Sequence, residues 1–286
     1  MKTASERFLE YVKFDTMSDE FSETCPSTEK QKVFGAYLVE EMKDIGIQDA
    51  FMDEHGYIYG TVPGDPRLPT IGLIAHMDTS PDTTAENVKA QTVLYEGGDI
   101  CLNPEKEIFL RVKDYPSLKN HIGKHLIVTD GTTLLGADDK AGIAEIMTAA
   151  EFLLSARISH APLRIAFTPD EEIGRGADKF DVEGFKADYA YTADGGPIGE
   201  IEYENFNVSA SSKGENSAGR PVKVVSGLII MASWGSRSPK KPPVRAPMMK
   251  VLTPHSPNRG IICRMVAPSG FAFFIMMKLA SIISRP

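Results

Sequence analysis

The stretch that decides the fold is Thr70-Ile71-Gly72-Leu73-Ile74-Ala75-His76-Met77-Asp78. Residues 70–75 form a short, continuously apolar run, which is typical of a strand that is buried on both faces of a parallel sheet. A His-x-Asp sequence follows the run directly. Residues i and i+2 of an extended segment point to the same side, so His76 and Asp78 are expected to act together. The stretch therefore predicts a buried strand with polar chemistry at its carboxyl end.

Further strand and helix signals alternate along the first two hundred residues. Residues 57–62, 163–167 and 189–192 are strand candidates. A capping-box pair, Thr28 with Gln31, predicts the start of a helix. The apolar face of this helix is expected to contain Val33, Phe34, Tyr37, Leu38 and Met42. A second helix is predicted to begin at Lys140. The alternation indicates an α/β fold with a mostly parallel sheet and flanking helices.

Acidic or histidine side chains follow successive predicted strands. They are His76 and Asp78, the adjacent Asp138 and Asp139 at a turn, the run Asp170-Glu171-Glu172, and Asp194. Open α/β sheets bind their ligands at the carboxyl ends of the strands. Adjacent carboxylates repel one another unless a cation lies between them. The four clusters together therefore predict a metal site.

Each cluster taken alone also has a simpler structural interpretation. A histidine after a strand is more often a satisfied structural residue, and paired aspartates often begin a helix. Three consecutive acids can form a solvated loop, and an aspartate before glycines is usually a turn. The repetition after successive strands favours the metal site over these alternatives.

The order of these motifs resembles the peptidase T type of dinuclear-zinc metallopeptidase. The segments that carry the resemblance are residues 76–82, 135–145, 166–172 and 204–207, which include His76-Met77-Asp78-Thr79, Gly136-Ala137-Asp138-Asp139-Lys140-Ala141-Gly142 and Thr168-Pro169-Asp170-Glu171-Glu172. The resemblance covers residues 1 to about 210 and implies a zinc-peptidase-like catalytic layer.

The resemblance also implies roles for individual residues. It implies two zinc ions, with Asp138 as the carboxylate that bridges them. His76 and Asp194 would bind one zinc ion and Glu172 the other. Asp78 would orient His76, and Glu171 would be the general base. Family members release the N-terminal residue of tripeptides.

Residues 212–286 do not resemble the family. Residues 1–215 hold all 39 acidic residues and 20 of the 31 basic ones, whereas residues 216–286 hold 11 basic residues and no acid. The resemblance implies a lid domain with a His-Pro-Gly-Thr segment and a late zinc-binding histidine. His255 is the tail's one histidine, and its surroundings match neither motif. We therefore predict a partial catalytic domain over 1–211 and an irregular or disordered basic tail over 212–286.

Two interpretations of the whole chain stay open. In the first, the tail is translated in a shifted reading frame, and the chain is an impaired zinc-dependent tripeptide aminopeptidase with an incomplete fold. In the second, the tail is a genuine basic module, and the protein is a non-catalytic binding or regulatory derivative. The abrupt loss of acids favours the first.

Composition limits the partners and the compartment. The basic tail lacks the aromatic or glycine-rich interleaving of nucleic-acid arms, so no nucleic-acid partner is expected. The apolar stretch 271–283 is short for a bilayer and contains Lys278, so no membrane partner is expected. The three cysteines are far apart, and the N-terminus lacks a signal core, so a cytoplasmic location is predicted. A homodimer is expected only if a lid domain is present.

Overall fold

The protein is described by a computed structural model that covers residues 1–156 and 158–195, together with the backbone of 201–203, 229–231 and 262–265. The helices are α1 (Ala4–Tyr11), α2 (Glu29–Asp44), α3 (Ala137–Ser155) and α4 (Val182–Phe185), with a 3-10 helix at Pro116–His121. The strands are β1 (Phe51–Met52), β2 (Ile58–Val62), β3 (Ile71–His76), β4 (Gln91–Leu94), β5 (Ile100–Asn103), β6 (Ile108–Leu110), β7 (His125–Val128), β8 (Leu163–Thr168), β9 (Tyr189–Ala193), β10 (Ile201–Tyr203), β11 (Ile229–Met231) and β12 (Ile262–Met265).

The central sheet has the strand order β1-β2-β8-β3-β9-β12-β10. Its middle is parallel, because β3 pairs in parallel with both β8 and β9, and β12 pairs in parallel with β9. The outer pairs β1–β2, β2–β8 and β12–β10 are antiparallel. The predicted α/β class with a mostly parallel central sheet is confirmed. The carboxyl ends of β3, β8 and β9 consequently lie at one edge.

β3 is buried along its whole length because the sheet is covered on both faces. Ile71, Leu73 and Ala75 contribute to the larger core, which the helices α1, α2 and α3 share. Ile74 faces a smaller core on the opposite side. This alternation explains why the sequence of β3 is apolar without interruption.

The helix α2 begins where the sequence predicts, but its capping box is absent. Thr28 is the N-cap residue, and its side chain makes no capping hydrogen bond. The hydroxyl of Thr28 instead donates to the carbonyl of Met17 at 2.9 Å. Val33, predicted to lie on the apolar face, is 61% exposed, whereas Phe34 is fully buried. The prediction for Val33 is wrong, because the buried face of α2 contains Phe34 and leaves Val33 on the solvent side.

The start of α3 is irregular. Gly136 precedes it in a left-handed conformation with φ of 71°, and Asp138 and Asp139 have non-helical backbone angles inside its first turn. Regular helix therefore begins at Lys140, as predicted, although the element as a whole starts at Ala137. Because this turn is irregular, the side chains of Asp138 and Asp139 point in different directions.

A second, smaller layer lies between β3 and α3 in the sequence. β4 and β7 pair antiparallel, β11 adds to β7, and β5 and β6 form a separate antiparallel pair. A separate buried cluster fills it, with Tyr95, Leu118 and Leu126 among its members.

Two strands of the predicted irregular tail belong to these sheets. The backbone of β12 pairs in parallel with β9 and antiparallel with β10. The remaining residues of 212–286, including His255, lie outside the described part of the chain. The domain boundary near residue 211 stays a prediction. Among the described residues, no helix combines the length and apolarity that crossing a membrane requires.

Glu145, a half-buried residue of α3, is expected to make the stability of the protein depend on pH. Burial raises the pKa of Glu145 to about 8, from an ordinary value of 4.5. The folded state favours the neutral form of this carboxyl. Its contribution to the free energy of unfolding is therefore fully present below pH 4.5 and is lost as the pH rises through about 8. We therefore expect Glu145→Gln to raise the Tm at pH near 8 and to leave it unchanged at pH near 4.5. Thermal denaturation at both pH values checks this, with the exposed Glu105→Gln as control. An equal shift at the two pH values would contradict the prediction.

Candidate metal centre

The candidate centre lies at the edge where β3, β8 and β9 end. His76 is the last residue of β3 and pairs in register with Thr168, the last residue of β8. Asp194 follows β9 directly, and Asp138 comes from the irregular first turn of α3. Four separate segments of the chain therefore meet at this edge.

The imidazole of His76 is the centre of the arrangement, and the residue is only 1% exposed. Its Nδ1 lies 3.1 Å from the backbone carbonyl of Asp78, and its Nε2 lies 2.8 Å from Oδ1 of Asp138. Burial opposes the charged form of the ring, but the hydrogen bonds to Asp138 and Asp78 outweigh it and raise the pKa of His76 well above its usual value. Both nitrogens face oxygen atoms of Asp78 or Asp138, so a proton or a cation is needed between Nε2 and the Asp138 carboxylate.

Three ligand atoms form a compact group that fits a metal ion. The atoms of His76, Asp138 and Asp194 lie within 4.8 Å of one another. Oδ1 of Asp194 is 4.0 Å from Nε2 of His76, and Oε2 of Glu171 is 3.9 Å from the same nitrogen. One imidazole among three carboxylates has the donor chemistry of a catalytic zinc site with no thiolate. A cation would also offset the repulsion between these carboxylates.

Asp78 joins His76 to the loop that follows β8. Its buried carboxylate accepts the backbone N–H groups of Glu171 at 2.9 Å and of Glu172 at 3.1 Å. Its Oδ1 lies 3.4 Å from Nδ1 of His76, whereas its own carbonyl lies closer to that nitrogen. Both the backbone and the side chain of Asp78 thus lie beside Nδ1 of His76, and its orienting role stays a prediction.

The structure separates the two adjacent aspartates that the sequence presents as a pair. Asp138 points into the centre, whereas Asp139 is buried behind it. The two oxygens of Asp139 accept the backbone N–H groups of His76 and Gly142, each at 3.2 Å. Burial raises the pKa of Asp139 well above its ordinary value. A Cβ at position 142 would collide with the Asp139 carboxylate, so the glycine three residues later is the sequence signal for this contact.

The three acids after β8 are separated in the same way. Glu171 is exposed and approaches His76, and Asp170 is buried away from the centre. Glu172 is half-buried, and burial raises the pKa of its carboxyl to about 7. Glu172 is outside the compact ligand group among the described residues. Its role as a zinc ligand and that of Glu171 as a base stay predictions.

Comparisons with known proteins add a family to this geometry. No family model matches the chain. Peptidase T from Desulfitobacterium hafniense strain Y51 is 60% identical over 213 residues, which are 73% of this chain and 52% of that protein. Peptidase T from Alkaliphilus oremlandii strain OhILAs is 57% identical over 215 residues, covering 73% of this chain and 53% of that protein.

A solved structure shows the same likeness in three dimensions. The crystal structure of aminopeptidase PepT from Bacillus cereus ATCC 10987 matches with a TM-score of 0.50 and 27% identity. The match covers 69% of this chain and 44% of that one. The chain thus spans about half the length of the curated relatives it matches. Over 73% of its own length, the chain is a homologue of peptidase T.

Proposed function

We propose that the centre at the ends of β3, β8 and β9 is the zinc site of a metallo-aminopeptidase that releases the N-terminal residue of tripeptides. The observation that carries the proposal is the buried imidazole of His76, whose Nε2 faces Asp138, Asp194 and Glu171. The homology to peptidase T supports the choice of a peptide substrate.

The ligand set follows from the donor atoms and from the family resemblance. His76, Asp138 and Asp194 supply the compact group, and Glu172 would contribute to a second zinc ion with Asp138 as the bridge. Bound zinc supplies acidification of a water molecule and polarisation of the peptide carbonyl. The hydrogen bond that the carbonyl of Asp78 accepts fixes the tautomer of His76 and leaves Nε2 for the metal.

Glu171 is the best-placed proton acceptor. Its carboxylate is exposed and lies 3.9 Å from Nε2 of His76, so it borders the centre without being buried in it. Its backbone N–H is held by Asp78, which fixes the base of the side chain. A general base needs this combination of access to solvent and a fixed position near the reacting water.

The sequence of residues 212–286 keeps the non-catalytic alternative open as a second proposal. Their sequence contains no His-Pro-Gly-Thr segment and only His255 as a histidine. Positioning of the peptide can supply roughly 7–11 kcal/mol of barrier reduction in such a reaction. We therefore propose that turnover by residues 1–286 is lower than that of a full-length peptidase T. The cytoplasmic location and the conditional homodimer also stay predictions.

Zinc titration followed by a tripeptidase assay tests the proposed function. Residues 1–286 are compared with the full-length D. hafniense peptidase T, and His76→Ala provides the control without the central ligand. We expect zinc binding that His76→Ala removes, and turnover below that of the full-length protein. If the chain does not bind zinc, the proposed metal site is wrong. Comparable turnover would contradict the impaired activity, and zinc binding with no turnover would favour the non-catalytic alternative.

A further inference from the structure

The segment from Thr16 to Gln31 lies across two loops of the candidate centre. The backbone N–H and the hydroxyl of Ser18 both donate to the carbonyl of Thr79, at 3.1 and 3.2 Å. On the other side, Nη1 of Arg175 donates to the carbonyl of Ser22 at 2.8 Å. The segment is therefore attached to the loop after β3 and to the loop after β8.

The strongest attachment is to the carboxylate of Asp170, which is 1% exposed. Its Oδ2 accepts the backbone N–H of Ser27 at 2.8 Å. Its Oδ1 accepts the hydroxyl of Ser27 at 2.5 Å and Nε2 of Gln31 at 2.8 Å. The backbone N–H of Asp170 donates to Oε1 of Gln31 at 3.2 Å, so Gln31 binds both the side chain and the backbone. A buried carboxylate is stable only with such donors around it.

The position of Asp170 makes this attachment relevant to the centre. Asp170 has a positive φ of 57°, which turns the chain sharply after β8. The next two residues, Glu171 and Glu172, donate their N–H groups to Asp78, and Asp78 in turn accepts from His76. Hydrogen bonds, together with the backbone of residues 170–172, thus connect the start of α2 to the central imidazole.

We propose that Ser27 and Gln31 are positioning residues, which hold Glu171 and Glu172 in place by fixing Asp170. The inference rests on the proposed function, because Glu171 and Glu172 are the acids assigned there to proton transfer and zinc binding. No atom of Ser27 or Gln31 needs to touch zinc or peptide. Their effect passes through the buried carboxylate and the turn that it fixes.

Amide hydrogen exchange of the variant Gln31→Met tests the positioning directly. Methionine retains approximately the volume of glutamine but removes both hydrogen bonds to Asp170. We expect exchange in peptides that cover residues 169–173 to accelerate about tenfold or more, while the peptides of β3 keep their protection. We also expect zinc affinity to fall about 10–100-fold, as when a residue that orients a ligand is removed.

Gln48→Met is the matched control, because Gln48 donates to the carbonyl of Lys43 on the exposed end of α2. It is expected to change neither the exchange of 169–173 nor zinc affinity. A lowered Tm for Gln31→Met with unchanged local exchange and zinc affinity would overturn the proposal and leave only a structural role. If Gln31→Met does not fold, Ser27→Ala decides by the same criteria. Absence of zinc binding by the unaltered chain would contradict the proposed function, while local exchange would still decide the positioning.

Discussion

Replacement of Asp138 by alanine is expected to remove zinc binding from the chain. Asp138 lies 2.8 Å from Nε2 of His76 and belongs to the group whose ligand atoms are within 4.8 Å of one another. As the proposed bridge, it would serve both zinc ions, so its loss should exceed the roughly 10–100-fold drop in affinity that follows removal of a residue that merely orients a ligand. Chelator competition measures the change.

Glu171→Ala is the comparison that separates a ligand from a base. We expect Glu171→Ala to lower zinc affinity by no more than the roughly 10–100-fold that follows removal of an orienting residue. In a full-length relative, we expect the same change to lower turnover by about 10²–10⁴-fold. Equal loss of zinc in both variants would show that Glu171 is a ligand. Unchanged zinc affinity in Asp138→Ala would remove the basis for the bridging role.

The variant Arg7→Met is expected to lower the free energy of unfolding by about 3–5 kcal/mol. The guanidinium of Arg7, a residue of α1, is 1% exposed and contacts side chains of α2 and α3. It contacts Glu41 of α2 at 3.1 Å, and Thr148 and Glu151 of α3 at 2.9 and 2.6 Å. Removal of the guanidinium takes away the closest counter-charge of the largely buried Glu41 carboxylate, which then keeps only the exposed Lys2 at 3.7 Å and the neutral hydroxyl of Tyr11.

Urea denaturation of Arg7→Met beside Arg67→Met checks this expectation. Arg67 pairs with Asp65 at 2.6 Å, but its side chain is exposed to solvent, so its replacement should leave the free energy of unfolding nearly unchanged. If the two variants lost comparable amounts of unfolding free energy, burial of the Arg7 network would contribute nothing to stability. The double variant with Glu41→Gln should recover part of the Arg7→Met loss, since it removes the buried charge that has lost its closest partner.

The centre of the sheet was predictable because its strands have a simple sequence signal. β3, β8 and β9 are short apolar runs, and the residues directly after them lie at one edge in the structure. The convergence of His76 and Asp194 follows from that rule of parallel sheets, whereas Asp138 comes from the first turn of α3. Helix α2 was predictable from its apolar spacing, although its capping box was not formed.

Contacts between distant segments were not predictable from local patterns. Adjacent acids look alike in the sequence, yet Asp139 and Asp170 are buried by partners that only the fold brings near them. The irregular turn at the start of α3 and the positive φ of Asp170 decide which acid faces the centre. The partners of Arg7 also lie far along the chain, in α2 and α3.

The position of β3 between β8 and β9 has a consequence for biosynthesis. Ile71 pairs with both Leu163 and Tyr189, so β3 finds its two neighbours only after long intervening segments have left the ribosome. Such non-local pairings close slowly during folding. Nascent chains that end before Ala193 lack the end of β9, which forms one side of the centre. In such chains, part of the set of groups that contact His76 is missing. The centre is therefore among the last features of the N-terminal region to assemble during translation.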